Sequence, residues 1–388
     1  MSEKRIFIGH MFNFNLQFAE MPVDKTELLV TQGQEPLLDV LDAHPSVKAD
    51  LFFTGYTDEW LEKNAPRVVD RVKAGVSSGR FGIGTYTYAH PILSLLPYED
   101  VVRQLAKGLE CDERTWGTRP VGLLLPEVAW DVSLPRALNQ LGIQWVAIYK
   151  EIIPALADSS SYPGVVWAEG AFGVRAKAVL GNRVLGKAVQ GVLRGEIPTE
   201  RIVKMIMEMA DSSRQDQFIL LKQDAEVLYF ATMAYHMEKG ALSWGDRLPD
   251  VEAARRFDDV LTRLEEIPGV RFVTIEEYLQ EFSPTDVVFP ECISGHADMD
   301  KWTRGEGRER LNVLTDTARE EIRAATYAID LLGALGKDTG QAKAILEDAW
   351  LQLMLAENSD GRAFVPHASR KIAVATAAIK AGELARKS

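Results

Sequence analysis

Cysteine is nearly absent: only Cys111 and Cys292 occur among 388 residues. That excludes a disulfide framework, favours a reducing compartment, and leaves too few thiolates for a cysteine-based zinc site. Long apolar runs are missing as well. No segment reaches the ~18 uninterrupted apolar residues of a membrane span, and the strand-like run Ile6-Phe7-Ile8 begins too early for a signal peptide to precede it. A cytoplasmic location without membrane contact is therefore expected. Positive charge is in short supply, with 56 acidic side chains against 44 basic ones and a formal net charge of -12. The basic residues are scattered, with no run longer than two, so the field repels a phosphate backbone and nucleic acid is not an expected partner. No Gly-x-Gly-x-x-Gly follows the first apolar run. Gly82-Ile83-Gly84 lies inside a strand and lacks the third glycine, which leaves a dinucleotide fold unsupported. None of the six histidines forms the His-x-x-x-His pair that a metal-dependent deacetylase needs. No metal or other cofactor is expected.

What the chain does have is rhythm. Apolar residues make up 46% and charged ones 26%, the balance of an ordinary globular protein. Short apolar runs recur at Ile6-Phe7-Ile8, Leu51-Phe52-Phe53, Phe81 to Gly84, Leu123-Leu124-Leu125, Trp145 to Ile148, Val165-Val166-Trp167, Phe218 to Leu221 and Val270 to Val273. Between them lie stretches such as Trp60 to Ser78 and Tyr98 to Glu110, whose apolar residues return every three or four positions. Strands alternating with helices imply a parallel sheet covered by helices. Seven or eight units over ~280 residues fit a TIM-like (β/α) barrel, closed or incomplete, in residues 1–285 better than an open doubly wound sheet. Beyond Pro284 the pattern is helical: Leu311, Leu314, Ala318, Ile322, Ala325, Ile329 and Leu332 step by three or four, and 341–355 and 369–387 behave alike. Residues 286–388 are expected to form a C-terminal helical bundle packed on the barrel.

In such a barrel, chemistry belongs to the C-terminal ends of the strands, where the loops converge. Two of these ends carry carboxylates. Glu127 follows three leucines and Pro126, which has no N–H for the ladder and so marks where pairing stops. Asp224 follows Phe218 to Leu221 with Lys222 and Gln223 between. Either carboxylate alone reads as a helix cap or an arginine's partner. Two at one barrel mouth are the arrangement that breaks glycosidic bonds, one attacking the anomeric carbon and the other protonating the leaving oxygen. Tyr86, Tyr88, Trp130, Tyr149 and Trp167 cluster at the same ends, where flat rings suit sugar faces. His10 and His90 sit at strand ends too, within reach of a hydroxyl or carboxylate.

The stretches Leu124-Leu125-Pro126-Glu127-Val128-Ala129-Trp130 and Leu220-Leu221-Lys222-Gln223-Asp224-Ala225-Glu226 resemble the two catalytic motifs of glycoside hydrolase family 57, the retaining α-glycosidases and α-glucan transferases. His90-Pro91-Ile92 and Asn358-Ser359-Asp360 are similar to two further conserved regions. The resemblance implies a (β/α)7 barrel and an α-amylase or 4-α-glucanotransferase type of activity. It also implies double displacement, with Glu127 as nucleophile and Asp224 as acid/base, on an oligosaccharide or polysaccharide. Substrate contacts are then expected from His10, His90, Tyr88, Trp130, Glu226, Trp302 and Asp360. The chain departs from the family in two places: His10-Met11-Phe12 stands where His-Gln-Pro is usual, and Tyr229 where a glycine is usual. Two other readings of the same fold are a carbohydrate-binding or regulatory protein without turnover and a related carbohydrate deacetylase.

Overall fold

A computed structural model of the chain describes residues 5–157, 164–212, 216–225, 251–293, 299–305, 307–363 and 366–388. The chain divides into two compact units, one of Met1–Leu16, Lys25–Tyr88 and Leu93–Ala297, the other of Gln17–Asp24, Ala89–Ile92 and Asp298–Ser388.

The larger unit holds the strands β1 (Ile6–Phe14), β2 (Ala49–Phe53), β3 (Phe81–Thr85), β4 (Gly122–Leu124), β5 (Trp145–Tyr149), β6 (Val165–Glu169), β7 (Arg175–Gly181), β8 (Gln217–Asp224), β9 (Val270–Phe272) and β10 (Val287–Val288). Seven of these close a ring in the order β1-β2-β3-β4-β5-β7-β8, sealed where Gly181 of β7 pairs with Leu220 of β8. Every neighbour in the ring is parallel. This is the expected seven-stranded barrel, with one change of membership. Val165-Val166-Trp167, expected as a barrel strand, belongs to β6, which lies outside the ring antiparallel to β7 and carries β10. The sixth barrel strand is β7, whose alternating Arg175-Ala176-Lys177-Ala178 has too little apolar bulk to read as a buried strand. Its Ala176 and Ala178 are nevertheless core residues, since small side chains let the covering elements approach. The run around Val270 forms β9 and pairs with β1 off the ring.

Successive strand residues point to opposite faces, so each barrel strand serves two cores. Phe7 and Met11 of β1, Phe52 of β2, Leu124 of β4, Trp145 and Ala147 of β5, Val179 of β7, and Phe218 and Leu220 of β8 fill the interior. Leu123, Val146, Ile148, Ala178 and Leu180 face outward against helix residues such as Val101, Leu105, Leu109 and Leu138. The interior takes two large rings because glycines face them: a Cβ on Gly84 would lie 2.1 Å from the Phe52 ring, and one on Gly122 would lie 2.0 Å from that of Trp145. The helix Tyr98–Trp116 follows the sequence pattern, with Glu99 and Asp100 in its first turn and a left-handed Gly117 closing it.

The smaller unit is built on three helices, Arg308–Ala334, Gly340–Ala356 and Ala368–Lys387. They match the three expected segments within a few residues. Ala318, Ile322, Ile329, Leu346, Ala349, Trp350, Leu353, Ala381 and Ala385 form their common seam. The larger unit runs to Ala297 and includes β10, which pairs with β6. The unit of the helices also includes two short segments from the first hundred residues. No helix among the described residues is long and apolar enough to cross a membrane.

Candidate active site

At the end of β4 the chain turns sharply. Val128 N–H donates to Leu125 O at 2.8 Å and Ala129 N–H to Pro126 O at 3.1 Å. The turn forces two consecutive non-glycine residues into the left-handed region, Glu127 at φ 54° and Val128 at φ 50°. Such a conformation costs on the order of 1–2 kcal/mol per residue for an L-amino acid. The strain coincides with the carboxylate that the sequence singles out.

Asp224 is the last residue of β8, in register with Asn13 of β1, and Ala225 N–H continues the ladder by donating to Asn13 O at 2.9 Å. Around the ring, β4 and β8 are separated by β5 and β7 on one side and by β3, β2 and β1 on the other. Glu127 and Asp224 therefore come from opposite sides of the same mouth. Leu220 is an interior residue, so Lys222 and Asp224, two and four positions on, share its inward face.

Lys222 ties the mouth together. Its ammonium donates to Asp224 Oδ1, with the lysine side chain 16% exposed. Burial opposes that charge, but Asp224, Tyr149 and Glu127 together outweigh it and raise the lysine well above its ordinary value. Tyr149, at the end of β5, is raised as well, first by burial. Asp224 and Glu151 push the same way, while Lys222 and Arg183 pull against them. One electrostatic cluster thus contains Glu127, Tyr149, Glu151, Arg183, Lys222 and Asp224. Beside it, Asn13 has the inward parity of Phe7 and Met11, is 3% exposed, and keeps a carboxamide oxygen with no hydrogen-bond partner. A buried acceptor left unpaired costs roughly 1–3 kcal/mol, which a ligand hydroxyl would relieve.

The other expected contacts are placed differently. His10 has outward parity and packs among the rings of Phe12, Phe257 and Phe272. Burial lowers its pKa to about 4. It is a wall residue, and Asn13, three positions on, takes the inward place. Tyr88 is buried with its hydroxyl donated to Glu59 Oε2 at 3.0 Å, on the helix Gly55–Asn64. Trp130 is fully buried in the outward-facing core with Leu105 and Leu138. Glu226 lies outside the described residues, as does Tyr229.

His90, Trp302 and Asp360 belong to the smaller unit, where Trp302 is buried. His90 Nδ1 lies 2.9 Å from both Ser359 Oγ and Asp360 Oδ2, while Ala19 N–H donates to Asp360 Oδ1 at 3.0 Å. The histidine and aspartate are thus brought together with Ser359 as one buried network. Lys222 and Asn13 were not assigned a site role from sequence, and Tyr149 was named only among the aromatic residues suited to sugar faces; period-two parity, counted from the apolar residues of β1, β5 and β8, gives all three the inward parity.

Comparison with known proteins gives this arrangement a context. Residues 34–290 match the sequence profile described as glycosyl hydrolase family 57. The chain is 24% identical over 314 residues to the 4-alpha-glucanotransferase of Thermococcus litoralis, and equally to an alpha-amylase of Pyrococcus abyssi. Each alignment covers 79% of this chain and 44% of the relative, so the chain spans less than half the length of these curated relatives. The solved structure of the Thermococcus litoralis 4-alpha-glucanotransferase is similar with a TM-score of 0.71 at 17% identity, over 98% of this chain and 60% of the other. A GH57-type branching enzyme from Pyrococcus horikoshii gives 0.68 at 14% identity, over 100% and 88%. At these identities the structural likeness concerns the fold.

Proposed function

The chain belongs to glycosyl hydrolase family 57, and from that premise we propose that it cleaves or transfers α-glycosidic bonds of an α-glucan oligosaccharide or polysaccharide by double displacement. The observation that carries the reading is the pair of carboxylates on opposite sides of one barrel mouth, Glu127 on a strained turn and Asp224 closing β8. In the first step a carboxylate electron pair of Glu127 forms a bond to the anomeric carbon. The glycosidic C–O bond breaks, and the Asp224 proton goes to the leaving oxygen. In the second step Asp224 takes a proton from water or a sugar hydroxyl, whose oxygen displaces Glu127 and restores it. Two inversions give net retention. Asn13 is proposed to donate to or accept from a hydroxyl of the sugar beside Asp224. The names of the relatives supply the α-glucan as substrate class.

The test is turnover of maltooligosaccharides by wild type, Glu127→Gln and Asp224→Asn, with the anomer of the first product read by NMR. Wild type is expected to release the α-anomer and either variant to lose activity by about 1,000-fold or more. Undiminished turnover in either variant, or an inverted product, would sink the assignment. A wild type that binds maltooligosaccharides tightly but never turns them over would establish the non-catalytic reading instead.

A further inference from the structure

The double displacement as written gives no part to Lys222, although its ammonium is hydrogen-bonded to Asp224 and also feels Glu127. Its position is set by the strand. Side chains two apart on β8 point the same way, so Lys222 lies one layer deeper in the barrel than Asp224, on the interior face that begins with Phe218 and Leu220. A lysine there cannot withdraw into bulk water while Asp224 keeps its place. The charged and titratable groups that act on it are Asp224 on its own strand, Tyr149 at the end of β5, and Glu127 after β4. Glu151, following β5, and Arg183, following β7, act in turn on Tyr149.

We propose that Lys222 is a positioning residue that matches one negative charge in each half of the reaction, holding Asp224 ionised whenever Asp224 must act as base. The inference rests on reading Glu127 and Asp224 as the catalytic pair. Before bond cleavage Asp224 carries its proton, and Lys222 faces one anion, Glu127. In the glycosyl-enzyme Glu127 is a neutral ester and the proton has left with the leaving group. Lys222 again faces one anion, now Asp224. No electrons or protons pass through the lysine; its charge is constant while the anion changes sides. The arrangement favours the second half of the cycle, because an ammonium in contact with a carboxylate stabilises the base over its conjugate acid.

Two readouts follow, both measured with 4-nitrophenyl α-maltooligosaccharides. In Lys222→Met, Asp224 should keep its proton to higher pH, moving the alkaline limb of kcat/KM upward by about 1 pH unit or more. Deglycosylation should slow relative to glycosylation, so that a burst of nitrophenolate precedes the steady state. Lys222→Arg keeps the charge and should leave the limb near its wild-type position. Lys222→Gln, which keeps a polar group without the charge, should shift it as methionine does and covers the case in which the methionine variant fails to fold. An active, folded Gln or Met variant with an unmoved or lowered limb would overturn the inference. So would an Arg variant displaced as far as the Gln variant. If Glu127→Gln and Asp224→Asn are inactive while the Lys222 variants show no shift, only this inference falls. If those two remain fully active, the catalytic reading falls with it.

Discussion

Asp50 offers a test of the electrostatics at the barrel's other end. It has the inward parity of Phe52 on β2 and is 2% exposed, with Oδ2 accepting the Ile275 N–H at 2.9 Å. Burial pushes its pKa up to about 8; the Ile275 hydrogen bond works against that, and Glu276 and Glu277 add to it. The folded chain therefore holds this proton up to about pH 8, whereas the unfolded chain releases it near the ordinary aspartate value of 3.8. Between those limits the folded state binds more protons, so the group's contribution to stability falls as pH rises. At ~1.4 kcal/mol per unit, the change from pH 5 to pH 8 amounts to roughly 4 kcal/mol. Asp50→Asn retains an oxygen for Ile275 and cannot ionise. Its unfolding free energy relative to wild type should therefore rise by roughly 3–4 kcal/mol between pH 5 and pH 8, measured by urea denaturation at pH 5, 6.5 and 8. A difference that stays constant across this range, or shrinks, would refute the reasoning.

Three further substitutions have directions set by the structure. His10→Phe replaces a buried imidazole, both of whose nitrogens lack partners, with a ring suited to Phe12, Phe257 and Phe272. Because the folded pKa is depressed to about 4, wild type loses stability as pH falls from ~6.5 to ~4, where the unfolded chain takes up the proton. The phenylalanine variant should lose that dependence in thermal melts and keep full activity, which a substrate contact at His10 would forbid. Glu127→Gly should be more stable than Glu127→Ala by about 1 kcal/mol in denaturation, because glycine accepts φ 54° freely. Arg362→Met removes bonds from a buried guanidinium to Ala356 O at 2.7 Å, Asn358 O at 2.9 Å and Thr315 Oγ1 at 2.6 Å. Leaving those acceptors unpaired should cost roughly 3 kcal/mol or more and raise amide exchange through Asn358 to Ala363.

How much of the fold could be read from sequence depended on what each segment buries. Leu123-Leu124-Leu125 and Phe218 to Leu221 are buried on both faces, and a continuous apolar run is what such a strand requires. The three helices of the smaller unit present one seam each, so a period near 3.6 located them. β7 escaped because its first two outward positions, Ala176 and Ala178, are alanines and Lys177 between them interrupts the run. β6 misled because Val166 and Ala168 are buried in the outer core, so a strand outside the ring looks as apolar as one within it. Closure is a pairing fact, Gly181 against Leu220, and no property of either residue encodes it.

At Glu127 and Asp224 residue type and chain position point to the same place, the mouth that β4 and β8 share. At His10 residue type and strand face point to different places. A histidine at a strand end suggests chemistry, yet in β1 the interior residues Phe7 and Met11 fix the odd positions as inward, which sends His10 to the wall and Asn13 to the mouth. The same count along β8 sets Lys222 under Asp224. In a parallel barrel the face is decided by period-two counting from any one known interior residue, so a motif's chemistry should be assigned only after that count. By this rule the displaced first motif, His10-Met11-Phe12, bears less on activity than its histidine suggests. Asn13→Ala should therefore lower kcat/KM for maltooligosaccharides by at least about 10-fold, the worth of one neutral hydrogen bond. An unchanged kcat/KM in that variant would mean that inward parity alone does not identify a contact.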